Sequence, residues 1–112
     1  MWIFTETGFI SAVRKGPNPN ELSVRSRDRK SLEELAEVAD VEIIKTPNGD
    51  YPYRIFVDEI VFAKWFADQA LNIDYSNFKS RVFDTRGYEY AHELSRVWSV
   101  MLDTEDEDSR NQ

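Results

Sequence analysis

The sequence predicts an α+β fold: a four-stranded antiparallel sheet from a ββα–ββα pseudo-repeat, with two additional C-terminal helices. Three observations predict it. Apolar and polar residues alternate with the period of two that marks a half-exposed strand. Clusters of Pro, Asn, Gly and Asp separate these runs, as turns require. Two segments after the runs switch to helical spacing behind a capping residue.

Residues 2–5 and 8–14 read as extended structure interrupted near Gly8, with Phe9, Ser11 and Val13 on one face and Ile10 and Ala12 on the other. Two prolines and two asparagines in residues 16–20 disfavour both helix and ladder, so a turn follows. Leu22, Val24 and Ser26 then alternate with Ser23, Arg25 and Arg27, completing a hairpin. Ser31 with Glu34 forms a capping-box pair, and Leu32, Leu35 and Val38 predict a short helix over 31–39. An apolar run at 41–45, a turn at 47–50 and a strand at 51–57 predict a second hairpin, with Pro52 marking an edge or a strand start. Asp58 can cap a helix over 59–72, whose apolar residues Ile60, Val61, Phe62, Trp65, Phe66 and Leu71 cover more than one stripe and predict a central place in the core. Residues 21–39 and 50–70 are weakly alike, each an arginine-bearing strand (Arg25, Arg54) leading into a capped helix. A short helix over 75–83, a break at 85–87 and a last helix over 88–102 complete the pattern. The last helix carries Tyr90, Leu94, Val97 and Met101 on one stripe, with Trp98 expected to be buried beside it. One domain over residues 1–102 and a disordered acidic tail over 103–112 is the expected organisation.

Composition bounds the chemistry. The 112 residues are 41% hydrophobic, enough for one core and too few for two separate domains. There is no cysteine, which excludes disulfides, thiolate catalysis and cysteine-held metals and suits a reducing compartment. The first residues lack the basic region of a signal peptide, and no apolar run nears the roughly 20 residues that span a bilayer, so the expected location is cytoplasmic. The net charge of −7 is uneven, because five of the acidic residues fall within residues 103–108. The remainder holds 14 basic and 16 acidic residues, without the basic excess that non-specific nucleic-acid binding requires.

The catalytic constellations are absent or incomplete. Glu89-x-x-His92 has the spacing of a helical metal half-site, but His92 is the only histidine, so a second such pair cannot form within one chain. A solvated surface histidine is the plainer expectation. No Gly-x-Ser-x-Gly elbow and no glycine-rich phosphate loop occurs. Asp50, Asp58, Glu59 and Asp74 could pair as carboxylates, yet 21 acidic residues make chance proximity the default. No catalytic residue, metal site or cofactor is expected.

The basic stretch at residues 23–30 is the best candidate for a site. Arg25 and Arg27 share one face of a strand, and Arg29 and Lys30 precede a helix start, a place suited to phosphate or carboxylate. Tyr51, Tyr53 and Arg54 of the second hairpin are expected on the same open face, as aromatics and arginines are arranged in some RNA-binding sheets. Asp50, Asp74, Tyr75, Asn77 and Lys79 could extend that surface. The plainer reading is the polar solvent face that every two-layer fold needs.

Trp2-x-x-Thr5-x-x-Gly8-Phe9-x-Ser11, Val24-Arg25-Ser26-Arg27-Asp28-Arg29-x-x-Leu32, Asp50-Tyr51-Pro52-Tyr53-Arg54, Ile73-Asp74-Tyr75-Ser76-Asn77-Phe78-Lys79 and Tyr90-x-x-x-Leu94-x-x-Val97-Trp98 can be taken together. This set resembles a widespread family of short uncharacterised proteins from actinobacteria and their phages. The resemblance implies a setting, a bacterial cytoplasm or a phage-infected cell, and assigns no residue a role. The expected function is a non-catalytic interaction protein that binds a host or partner protein, as a monomer or homodimer, without a membrane. A nucleic-acid or nucleotide-binding module using Arg25, Arg27, Arg29 and Tyr53 is the second reading, disfavoured by net charge. A small enzyme of unknown class is the third.

Overall fold

The computed structural model describes residues 1–47 and 49–106. Its chain reverses at once, where the sequence suggested one strand interrupted at Gly8. β1 (Trp2–Thr5) and β2 (Gly8–Val13) pair antiparallel, with Thr5 opposite Gly8 and Trp2 opposite Ser11. The buried Thr5 closes the two-residue turn by accepting from Thr7 N–H through its hydroxyl at 3.3 Å. A second hairpin joins β2 to β3 (Glu21–Ser26) across the proline-rich turn. After α1 (Lys30–Ala39) come β4 (Ile44–Lys45) and β5 (Tyr53–Asp58), then α2 (Glu59–Leu71).

Among the described residues the sheet therefore has five strands, not four, in the order β1-β2-β3-β5-β4, antiparallel throughout. Three strands precede α1, and two lie between α1 and α2. β5 lies inside the sheet, between β3 and β4, and begins just after Pro52, so this proline marks a strand start and removes no ladder donor.

The helix starts refine the expected caps. Ser31 lies within the first turn of α1 and does not cap it. Asp28 fills that role: its Oδ1 accepts from Ser31 N–H at 2.8 Å and from Ser31 Oγ–H at 2.9 Å. Ser31 Oγ in turn accepts from Phe9 N–H at 3.2 Å, tying α1 to β2. Glu34 turns toward α2 instead, accepting from Trp65 Nε1–H and Gln69 Nε2–H. Asp28→Ala is accordingly expected to lose about 1–2 kcal/mol in urea unfolding, whereas Asp28→Asn keeps an acceptor and most of that stability. α2 is capped as expected, by Asp58 Oδ1 accepting from Ile60 N–H at 2.8 Å.

One face of the sheet makes the core. Ala12, Val24 and Ile55 stand opposite one another across β2, β3 and β5, and Leu22 stands opposite Val57. With Ile10 they meet Leu32, Leu35 and Ala36 of α1 and Phe62 and Trp65 of α2. α2 is less central than its composition suggested. It buries only Phe62 and Trp65, because it shares one sheet face with α1 and turns a single stripe inward. Ile60, Phe66 and Leu71 stay exposed.

Residues 1–74 form one compact unit, and residue 75 begins a second. The second is a helical hairpin of α3 (Phe78–Arg86) and α4 (Tyr88–Leu102), with Val82 and Ala91 buried. α3 starts later than residue 75, since Asn77 caps it by accepting from Ser80 N–H. It continues through Arg86, so the break is Gly87 alone, whose φ of 91° suits glycine. The stripe expected to be buried on α4 is not: Val97, Trp98 and Met101 are exposed, and Leu94 is half-buried. Within the expected acidic tail, Asp103, Thr104 and Glu105 wind on as turns, their N–H groups donating to Val100, Met101 and Leu102 carbonyls. The rest of that expectation, residues 107–112, lies outside the described residues.

Candidate functional site

The face of the sheet away from α1 and α2 is set by the same alternation that makes the core. Trp2, Ser11, Arg25, Arg54 and Ile44 stand opposite one another in a single row across all five strands. Phe4 and Phe9 form the next row on one side, and Val13, Ser23 and Phe56 the next on the other. At the far end Glu21 faces Asp58.

The arginines are held in an unusual arrangement. Arg25 and Arg54 are direct cross-strand neighbours, a placement in which like charges destabilise a sheet. No carboxylate of the described residues pairs with Arg25, Arg27 or Arg54. The support comes from an aromatic ring: the Arg25 and Arg27 guanidiniums lie 4.7 and 4.9 Å from the centroid of Tyr51, which is buried. Arg25 also donates to Ser11 Oγ at 2.9 Å, and Arg27 to the Asp50 carbonyl at 2.7 Å. Even so, Nε of both Arg25 and Arg54 is buried without a hydrogen-bond partner.

Unpaired buried donors and adjacent like charges both cost stability, so this cluster is not arranged for the fold alone. Arg54 has no compensating ring or hydroxyl of the kind Arg25 has. Arg54→Gln is therefore expected to leave stability unchanged or raise it by about 0.5–1 kcal/mol in urea unfolding. Arg25→Gln, which also gives up the Tyr51 and Ser11 contacts, is expected to lower it.

Beside the arginines lies an aromatic group that the sequence reading did not single out. Phe9 packs against Trp2 edge-on at 5.8 Å and against Phe4 face-on at 4.7 Å. Trp2 is 70% exposed and Phe4 39%. The signal was available in the parity of Trp2 and Phe4, but joining it to Phe9 and Arg25 required the β1–β2 turn.

The expected site residues thus separate. Arg25, Arg27, Tyr51 and Arg54 come together on or beside the open face. Tyr53 does not join them; it is directed to the core side, opposite Ser26, with Lys45 Nζ 5.7 Å from its ring. Arg29 stands at the start of α1, 4.0 Å from Glu33. Tyr75 and Lys79 belong to the helical hairpin, where Arg81 stacks on Tyr75 and Lys79 lies 5.2 Å from the Trp98 ring.

Two other surfaces have shape but less chemistry. A groove of about 450 Å³ between α3 and α4 is lined by Lys79, Asp84, Tyr88 and His92 among others, and the exposed His92 stacks on Tyr88 at 5.8 Å. A second groove, of about 510 Å³, runs between α1 and residues 41–43, and its lining mixes the carboxylates Glu33, Glu37, Asp40 and Glu42 with Arg29 and apolar residues. Among the described residues no three His, Asp or Glu side chains are placed to hold a metal ion, and no helix is long and apolar enough to cross a membrane. No protein-family model, curated protein or solved structure matches the chain.

Proposed function

We propose that this protein is a non-catalytic interaction module, of bacterial or phage origin, that binds a partner protein through the open face of its sheet. One observation carries the reading. Arg25 and Arg54 are placed side by side without a carboxylate, each with an unpartnered Nε, next to the exposed Trp2 and Phe4. Tryptophan, tyrosine and arginine are the residues that dominate binding hot spots, and aromatic rings that pre-order arginines lower the entropy lost on binding. The fold gains from Arg25 through Tyr51 and Ser11 but gains nothing from Arg54, whereas a binding surface gains from both.

Photo-crosslinking from defined positions tests the proposal. A photoreactive amino acid at Trp2 or at Ile44 should trap the same protein from a bacterial lysate. The same group at Leu71, on α2, should trap none of it, and Arg25→Gln/Arg54→Gln should abolish the adduct. Equal trapping from all three positions, or an adduct indifferent to the arginines, would sink the reading.

A further inference from the structure

The open face is patterned, and the pattern specifies what kind of partner it takes. Across the strands the central row is apolar at its ends, with Trp2 and Ile44, and cationic between them, with Arg25 and Arg54. Along the strands the sign reverses, because Glu21 and Asp58 stand opposite each other four residues from the arginines. That separation is about 13 Å at roughly 3.3 Å per residue. It exceeds the screening length of about 8 Å at physiological salt, so each end of the face acts with its own sign.

From this arrangement we infer that the partner contributes a short extended acidic segment. It has one or two carboxylates flanked by apolar side chains and lies across the strands from Trp2 to Ile44. The inference rests on the open face being the binding surface. Five strands about 4.8 Å apart span roughly 19 Å, the length of about six extended residues. Carboxylates at the middle of such a segment meet Arg25 and Arg54, whose flat guanidiniums suit carboxylates as paired forks. The apolar residue at one end meets Trp2 and Phe4, and that at the other meets Ile44, which is 45% exposed.

A nucleic acid fits the same surface poorly. Its affinity grows by neutralising many phosphates at once, and this face offers three arginines with carboxylates at one end. The rest of the unit adds repulsion, since residues 1–74 carry nine Lys and Arg against 13 Asp and Glu. The acidic groups concentrate on the helix side, as Glu33, Glu34 and Glu37 of α1 and Asp68 of α2. The face is therefore a cationic spot on an acidic body, a pattern that selects one or two anionic groups over a chain of them.

The test uses the full chain, labelled with 15N, and a synthetic hexapeptide with two central aspartates, a phenylalanine at one end and a leucine at the other. Amide shifts are expected to centre on Trp2, Ser11, Arg25, Arg54 and Ile44. Binding should weaken at least tenfold when the aspartates become asparagines, and by a similar factor in Arg54→Gln. Equal binding of the asparagine peptide overturns the inference. So does tighter binding of a ten-nucleotide oligothymidylate, though shifts on the same residues would leave the open face standing as the binding surface. Shifts confined to α1 and α2 contradict both. No shift at millimolar peptide also overturns the acidic segment, and crosslinking from Trp2 and Ile44 then decides the broader proposal separately.

Discussion

Trp65→Ala is expected to destabilise the protein by about 3–5 kcal/mol, the range for removing a large buried aromatic. Trp65 is 3% exposed and packs 5.8 Å from the Phe62 ring, where α2 meets the sheet. Its Nε1–H donates to Glu34 at 3.1 Å, so the same side chain fastens α2 to α1. Deleting it opens a cavity that small side chains such as Ala36 cannot fill, and it leaves Glu34 with Gln69 as its remaining side-chain donor. Domains of this size have total stabilities of about 5–15 kcal/mol, so this loss is a large share of the whole. Trp65→Phe keeps most of the buried area and loses the hydrogen bond, with an expected loss of about 1–2 kcal/mol. Urea unfolding followed by circular dichroism measures both, and a loss below 1 kcal/mol for the alanine variant would place the core elsewhere.

Tyr51→Ala is the second large effect, and it should act on fold and surface together. The ring is buried and carries both the Arg25 and the Arg27 guanidinium. Without it two cations lose their support beside a third, Arg54, and the segment before β5 loses its anchor to the end of β3. Expected destabilisation is about 2–4 kcal/mol, combining lost aromatic burial with two cation–π contacts. Tyr51→Phe keeps the ring and should stay within about 0.5 kcal/mol of the parent. Crosslinking to the partner from Trp2 should be retained by the phenylalanine variant and lost by the alanine variant at a temperature where it remains folded.

Much of this architecture was legible where the information is local. Alternation in residues 22–27 put Arg25 and Arg27 on the face opposite Leu22 and Val24, and the turn residues located both later hairpins. What failed was long-range or depended on parity. The reversal at Glu6 and Thr7 has no glycine-rich turn signature ahead of Gly8, so five strands were read as four. The parity of Ile55 and Val57 sends Tyr53 inward with them, while Tyr51 precedes the ladder and is free to turn out beneath the arginines. Ser31 and Glu34 have the spacing of a capping box, but Asp28 reaches the first turn and Trp65 competes for Glu34. The pairing of Arg25 with Arg54 joins residues 29 positions apart. A periodicity count along the chain does not reveal such a contact.

Arg54 is kept for binding and adds nothing to the stability of the fold. The most direct measurement of this compares the parent and Arg54→Gln, taking the unfolding midpoint in urea and the yield of the Trp2 crosslink on the same preparations. The midpoint is expected to equal or exceed that of the parent, with the adduct reduced at least tenfold. A lowered midpoint with the adduct intact would contradict it, and would make Arg54 a structural residue of the sheet.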